Sequence, residues 1–205
     1  MSRSILAYLH HGPDAPGRLV IALHGNAEDA PQGLDLGREL FPDDLIVAPS
    51  SPRPMDPRYG DTRAAHERKL WFFVQGGFIE PTLFGETLRQ VELLLHDHVD
   101  RLTADAAKDP GVWLVGRAEG GTLALALAAV WPELVDGVIA IDAVWPDVPG
   151  WHPAERGAAP LDVRLLRDRR DGRDADAAEA RIRERFERVG AVVTTARLTD
   201  DAATP

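Results

Sequence analysis

The sequence predicts an α/β fold: a mainly parallel central sheet with helices on both faces, formed by a single domain over residues 1–205. Three observations predict it. Short uninterrupted apolar runs recur at 19–23, 45–48, 112–115 and 138–141, each the length of a strand and lacking polar alternation. That is the pattern of strands buried on both faces. Longer segments between them carry apolar residues three and four apart, the helical period, and strands alternating with helices build parallel sheets. Two loops crowded with proline, 48–60 and 142–160, leave the C-terminal ends of strands, where open α/β sheets bind ligands.

Each element has its own justification. Residues 4–9 read as an opening edge strand. Leu19-Val20-Ile21-Ala22-Leu23 is a buried strand ending at His24-Gly25, and Leu45-Ile46-Val47-Ala48 is the next. A helix is expected over 82–105, where Phe84, Leu88, Val91, Leu95, Val99 and Leu102 form one stripe. Val112-Trp113-Leu114-Val115 is a strand, and residues 120–131, almost wholly Ala and Leu, are a helix packed on all sides. Val138-Ile139-Ala140-Ile141 and Val163-Arg164-Leu165-Leu166 follow as strands, and Ala191-Val192-Val193 begins a weaker one. Between these last two, Ile182, Phe186 and Val189 mark a helix over 175–189. Asp176 with Glu179 is expected to make its capping box, and Gly190 its stop. Glu179–Arg183 and Glu184–Arg188 stand four apart and pair along its solvated face.

Composition excludes several functions. The chain has 205 residues, 44% hydrophobic and 27% charged, a globular balance. No apolar run nears the ~18 residues of a membrane span, and the N-terminus is too weakly apolar for a signal peptide. Zero cysteines exclude disulfides, zinc-thiolate sites, iron–sulfur clusters and a Cys nucleophile, and fit a cytoplasmic location. A net charge of −10 argues against nucleic acid or an anionic membrane as partner. His10-His11 and His96-Asp97-His98 do not converge on one ion, so no metal site and no cofactor are expected.

The informative stretch is GVWLVGRAEGG, residues 111–121, which runs from a strand through a tight turn into the Ala/Leu helix. Strand, Gly-x-x-x-Gly-Gly, helix is the context of a nucleophile elbow, whose glycines allow close packing and lift the middle residue above the sheet. Upstream, Leu23-His24-Gly25-Asn26 ends a strand as an oxyanion-hole loop does; downstream, residues 131–140 lead from helix to strand. With Leu70-Trp71-Phe72, Glu80-Pro81, Phe84-Gly85 and Leu88, the chain resembles the α/β-hydrolase fold without a large cap domain. Specifically it resembles the small phospholipase/carboxylesterase-type serine esterases, over residues 18–198.

The resemblance implies a serine at position 118, where Ala118 stands. It implies a catalytic Asp after the 163–166 strand, where Asp171 fits, although Asp168 occupies a position usually Gly. It implies a His after the last strand, yet no His follows His152. Losing Ser or His alone costs such an enzyme about 10⁶ in turnover, so efficient hydrolysis by that mechanism is excluded. A Ser-to-Ala trap explains only the first departure, and a truncated sequence only the second. Drift into a noncatalytic or repurposed protein explains both.

The resemblance further implies that the Asn26 and Glu119 backbone N–H groups form an oxyanion hole, which needs no nucleophile side chain. Trp71 and Trp145, with Trp151 and His152, are expected to wall the ligand pocket. Trp113 and Trp131 are expected in the core. His24 is usually a structural residue bonding neighbouring loops, with acid/base action at Ala118 the alternative. The Glu119 carboxylate would oppose an oxyanion unless it points away or takes up a proton, and a partly exposed side chain is expected. Asp142 stands where a Ser is usual and either faces the pocket or begins the loop turn. Ser50-Ser51 are expected to shape a turn rather than to supply a displaced nucleophile.

Three functions are consistent with these residues. The first is a degenerate esterase-like protein that binds a small acyl or carbonyl compound, or a protein partner. The second is a repurposed enzyme performing lyase, isomerase or cyclase chemistry with His24, Asp142 or Asp171. The third is a carboxylesterase or phospholipase-type hydrolase whose sequence is altered or incomplete. The resemblance also implies a closing helix after the last strand. Without it an apolar sheet face would lie open, to be covered by a second subunit, by residues 1–16 or by residues missing from this sequence, and self-association is the preferred expectation.

Overall fold

Six parallel strands and one antiparallel edge strand form the central sheet in a computed structural model that describes residues 4–55, 68–105, 110–154, 161–168 and 173–198. In chain order the elements are β1 (Tyr8–His11), β2 (Arg18–Leu23), α1 (Ala30–Leu40), β3 (Leu45–Pro49), β4 (Arg53–Pro54), β5 (Lys69–Leu70), β6 (Val74–Gln75) and β7 (Phe78–Ile79). They continue with α2 (Pro81–Asp105), β8 (Gly111–Arg117), α3 (Glu119–Val130), β9 (Gly137–Ile141), β10 (Asp162–Arg167), α4 (Arg173–Arg188) and β11 (Val192–Arg197). The sheet order is β1-β3-β2-β8-β9-β10-β11, with β1 antiparallel to β3. β4 pairs with β5, and β6 with β7, in two small antiparallel ladders.

Strand residues alternate between two cores. Leu19, Ile21 and Leu23 face a large cluster containing Leu88, Val91, Leu123, Ile182 and Phe186, so α2, α3 and α4 share that side. Val20 and Ala22 face the other, with Leu36, Leu40, Ile46, Val115 and Ile139, where α1 lies. β2 is therefore buried on both faces, which is why its sequence shows no polar alternation.

Most expected elements stand where the apolar runs place them, and four details differ. The opening strand is Tyr8–His11 rather than 4–9. α1 adds a helix over a segment where none was expected. Asp29 caps it, accepting from the Ala30 N–H, Gln32 closes a capping box, and Pro31 lies in its first turn. Gly33 and Gly37 dilute its apolar stripe because they are its contact face. A Cβ at Gly33 would meet the Ala22 carbonyl oxygen at 2.7 Å, and one at Gly37 would collide with the Ile46 side chain. α4 begins before Asp176, so Asp176 and Glu179 do not form its cap. Arg167 at the end of β10 binds both, at 2.7 Å to Asp176 and 2.5 Å to Glu179. Gly190 does follow the helix, with φ of 90°.

The fourth difference concerns the sheet face on the α1 side. Trp113, Ile139, Ile141 and Leu166 are all buried within the single chain. Trp113 lies flat across Gly137, where a Cβ would stand 2.6 Å from its ring, and Arg164 covers the ring at 5.2 Å. Among the described residues the exposed large apolar side chains are Ile5, Leu9, Phe73, Val74, Phe78 and Val192, and of these Val192, level with Asp162 on β10, is on the α1 side of the sheet. Among the described residues, then, the α1 side exposes Val192 while burying Trp113, Ile139, Ile141 and Leu166.

Candidate functional site

The elbow follows from close packing between three backbones. A Cβ at Gly116 would lie 2.5 Å from Gly121 N, and one at Gly121 would lie 2.9 Å from Ala143 Cβ. At Gly120 a Cβ would collide with the carbonyl oxygens of Leu23 and His24. These glycines let the first turn of α3 rest directly on the ends of β8 and β2. The chain between them must reverse within one residue, and Ala118 does so at φ 49°, ψ −112°. That region is sparsely populated by any residue with a Cβ and costs about 1–3 kcal/mol. It is held by the Ala118 N–H donating to Ile141 O at 2.8 Å and by the Thr122 N–H donating to Ala118 O at 2.9 Å. The lifted side chain is a methyl group and offers no nucleophile.

Contact between β2 and α3 brings the Gly25–Asp29 loop beside the elbow. Glu28 pairs with Lys69 in an isolated antiparallel bridge, the Lys69 N–H reaching Glu28 O at 3.0 Å and the Ala27 N–H reaching Lys69 O at 3.2 Å. Gly25 N–H donates to Glu28 Oε2 at 2.7 Å. Glu119, the first residue of α3, joins these parts. Its Oε1 accepts from Asn26 Nδ2 at 3.0 Å and its Oε2 from the Trp71 N–H at 3.1 Å. The side chain is half-buried. Burial among neutral groups raises its pKa from 4.5 to about 7, against the opposing pull of those two donors. As the first helical residue, Glu119 has a backbone N–H without an intrahelical acceptor.

Trp71 holds this assembly and does not wall a pocket. It is 0% exposed. Its indole Nε1–H donates to His24 O at 2.9 Å and its ring stacks on His24 at 4.5 Å. Its carbonyl accepts from Arg53 at 3.1 Å and from Thr87 at 2.8 Å. The fully enclosed indole has no surface for a ligand. Arg53 and Thr87 were not singled out in the sequence, because what recruits them is a backbone carbonyl.

His24 is likewise committed. It is fully buried, its Nδ1 donates to Gly25 O at 2.9 Å, and its Nε2 accepts from the Ser51 N–H at 3.3 Å. Desolvation lowers its pKa, so the ring stays neutral with its one lone pair engaged. It bonds neighbouring loops and has no free nitrogen for acid/base chemistry. Ser50 Oγ donates to Asp29 and Ser51 Oγ to Leu70 O, so both hydroxyls brace the loop.

Asp142 ends β9 at φ 49°. Its N–H donates to Leu166 O at 2.9 Å and its Oδ1 accepts from the Asp168 N–H at 3.1 Å, fastening the end of β9 to β10. Arg117, beside Ala118, places Nη2 3.6 Å from Asp168. Asp171 lies outside the described residues. Trp145 is 8% exposed, stacks on Trp151 at 5.6 Å and lies under Arg185 at 4.4 Å. With Trp151 and His152 it lines a cavity of about 230 Å³ against α4, whose lining does not include Ala118. Trp145, Trp151 and His152, expected from the sequence to wall a pocket, thus share one cavity wall, and Phe186, edge-on at 6.1 Å, sets Trp145 against α4. Trp113 is buried and Trp131 partly so.

Among the described residues no group of His, Asp and Glu could hold a metal ion, and no helix is long and apolar enough to cross a membrane. No protein-family model matches the sequence, and no curated protein matches it. Solved structures do match. A carboxylesterase from Mesorhizobium loti is similar with a TM-score of 0.75 at 15% identity, over 97% of this chain and 88% of that one. A Bacillus cereus carboxylesterase gives 0.73 at 12% identity, over 94% and 84%. A phospholipase/carboxylesterase from Dyadobacter fermentans gives 0.68 at 14%, over 96% and 88%. Sheet order, elbow and these likenesses agree: the chain has the α/β-hydrolase fold in its small, carboxylesterase-like form.

Proposed function

We propose that this protein is a catalytically degenerate, esterase-like member of the fold, which binds a small acyl or carbonyl compound at the elbow without serine-type hydrolysis. The observation that carries the reading is the strained turn at residue 118 presenting a methyl group where a hydroxyl would act. The loop carrying Asn26 lies against the N-terminus of α3, so the Asn26 and Glu119 amides are available to a carbonyl oxygen without any nucleophile. A second reading, non-covalent acid/base chemistry, is favoured by one group. The Glu119 carboxyl beside the elbow titrates near neutrality, where a proton is both held and released readily.

The test is covalent labelling. The protein is expected to resist an activity-based fluorophosphonate and to show no burst with activated aryl esters. Ala118→Ser is expected to fold yet to stay at least about 10³-fold below an ordinary serine esterase, since no His follows His152 in the sequence to take the base's place. Stoichiometric labelling of the unmodified protein would overturn the reading.

A further inference from the structure

The Glu119 carboxyl joins two loops through two donors of different kinds. Trp71 supplies a backbone N–H whose direction is fixed, because Trp71 is enclosed by His24, Arg53 and Thr87. Asn26 supplies an exposed side-chain amide that is free to rotate, and its two ends are nearly identical in shape. An ionised carboxylate accepts from both. A protonated one has a single acceptor oxygen to keep and one O–H to donate. The fixed Trp71 N–H claims the acceptor, so the proton belongs on Oε1, where it faces the Asn26 NH₂ donor against donor. Turning the amide end for end replaces that clash with a Glu119 O–H donating to Asn26 Oδ1.

We propose that Glu119 and Asn26 form a proton-coupled latch: protonation of Glu119 flips the Asn26 amide, and its NH₂ group is then turned away from Glu119 beside the elbow. Among the described residues no cation pairs with the carboxylate. From β2, His24 is neutral, with both nitrogens engaged. From the adjoining loop, Glu28 accepts from Gly25 N–H and Asp29 from Ala30 N–H. From β5, Lys69 bonds this loop through its backbone. Arg117 at the end of β8 turns to Asp168, and Asp142 after β9 accepts from the Asp168 N–H. The carboxyl's own partners are the two neutral donors, and burial among them raises its pKa to about 7. The latch therefore works across the neutral range.

The test is an NMR titration of the full chain from pH 5 to 9, following the Glu119 carboxyl carbon and the Asn26 side-chain NH₂ resonances. Both are expected to move with one shared midpoint near neutrality. Glu119→Gln copies the protonated arrangement, its own NH₂ donating to Asn26 Oδ1 and its carbonyl accepting from Trp71. In that variant the Asn26 resonances are expected to stop titrating and to rest at their acid limit. Asn26→Ala serves as a second variant: it removes a charge-assisted bond from the ionised form and a neutral one from the protonated form, so the Glu119 midpoint is expected to rise only slightly, by the difference between them. A Glu119 midpoint in the ordinary carboxylate range, Asn26 resonances that do not follow it, or a midpoint that rises by a full pH unit or more in Asn26→Ala, as it would if Asn26 bonded only the charged form, would overturn the latch. None of these outcomes bears on whether the elbow binds a carbonyl compound.

Discussion

Replacing Ala118 with glycine separates the strain of the elbow from its chemistry. At φ 49°, ψ −112° a residue with a Cβ costs about 1–3 kcal/mol more than glycine. Two effects oppose the relief. Glycine loosens the unfolded chain, worth about 0.4–1 kcal/mol, and a half-buried methyl is lost, worth about half of the ~0.8 kcal/mol assigned to a fully buried CH₂. Taking the middle of each range, Ala118→Gly stabilises by about 1 kcal/mol. For a chain of this size that raises Tm by about 2–4 °C. Urea unfolding is the assay, with the midpoint rising at an unchanged slope, so that the gain reports stability and not a changed unfolded state. Ala124→Gly is the control. It lies inside α3 at 0% exposure with no strain to relieve, and it should lose about 1 kcal/mol or more. A loss of 1 kcal/mol or more at Ala118 would refute the reasoning, because the turn would then be one that alanine adopts without strain.

The remaining predictions concern the elbow's neighbours. Gly120→Ala drives a Cβ into the Leu23 and His24 carbonyl oxygens and should destabilise by more than about 3 kcal/mol or prevent folding. Gly85→Ala, inside α2 with nothing within 4 Å of the new Cβ, should stabilise by about 0.5–1 kcal/mol in the same urea assay. Glu119→Gln should alter how stability depends on pH. The folded protein holds this proton up to about pH 7, while the unfolded chain releases it near 4.5, so ionisation subtracts stability as pH rises between those values. The variant should match the parent below pH 4.5 and exceed it by about 1–2 kcal/mol above pH 7.5, less than the whole shift implies because the carboxyl reaches water. A difference that does not change with pH would show that Glu119 does not titrate as described.

Parts of the molecule were legible where the cause of structure is local. The apolar runs of β2, β3, β8 and β9 and the helix of Ala and Leu state their burial directly. The elbow was legible because Gly116, Gly120 and Gly121 crowd one another within five residues. α1 was missed although Asp29, Pro31 and Gln32 mark its start, because Gly33 and Gly37 replace the apolar residues that reveal a helix. The β6–β7 hairpin carries its own turn signal, two glycines at φ 59° and 86°, the conformation that two-residue hairpin turns demand. The Asp176–Glu179 cap failed because α4 begins at Arg173 and so places Asp176 inside its first turn rather than before it, where its carboxylate, like that of Glu179, binds Arg167. The partners of Glu119 were not legible. Asn26 and Trp71 stand 93 and 48 residues away, and only the folded chain brings a lone amide and a backbone N–H to one carboxyl.

The persistence of a strained turn without a nucleophile has a structural reason. α3 is almost wholly apolar and buried, and it must sit on both β8 and β2. Relaxing residue 118 would move its first turn off the ends of those strands, where Gly120 allows contact closer than any Cβ permits. The strain is thus borne by packing worth far more than its cost, and the elbow alone does not speak for catalysis. On the proposed function the residue to watch is Glu119, whose carboxyl bridges Asn26 and Trp71 beside the elbow. Ionised, it sets a negative charge beside the amides that a carbonyl oxygen would meet. On the proposed reading the site then takes an uncharged carbonyl above pH 7, and a carboxylate only together with a proton on Glu119.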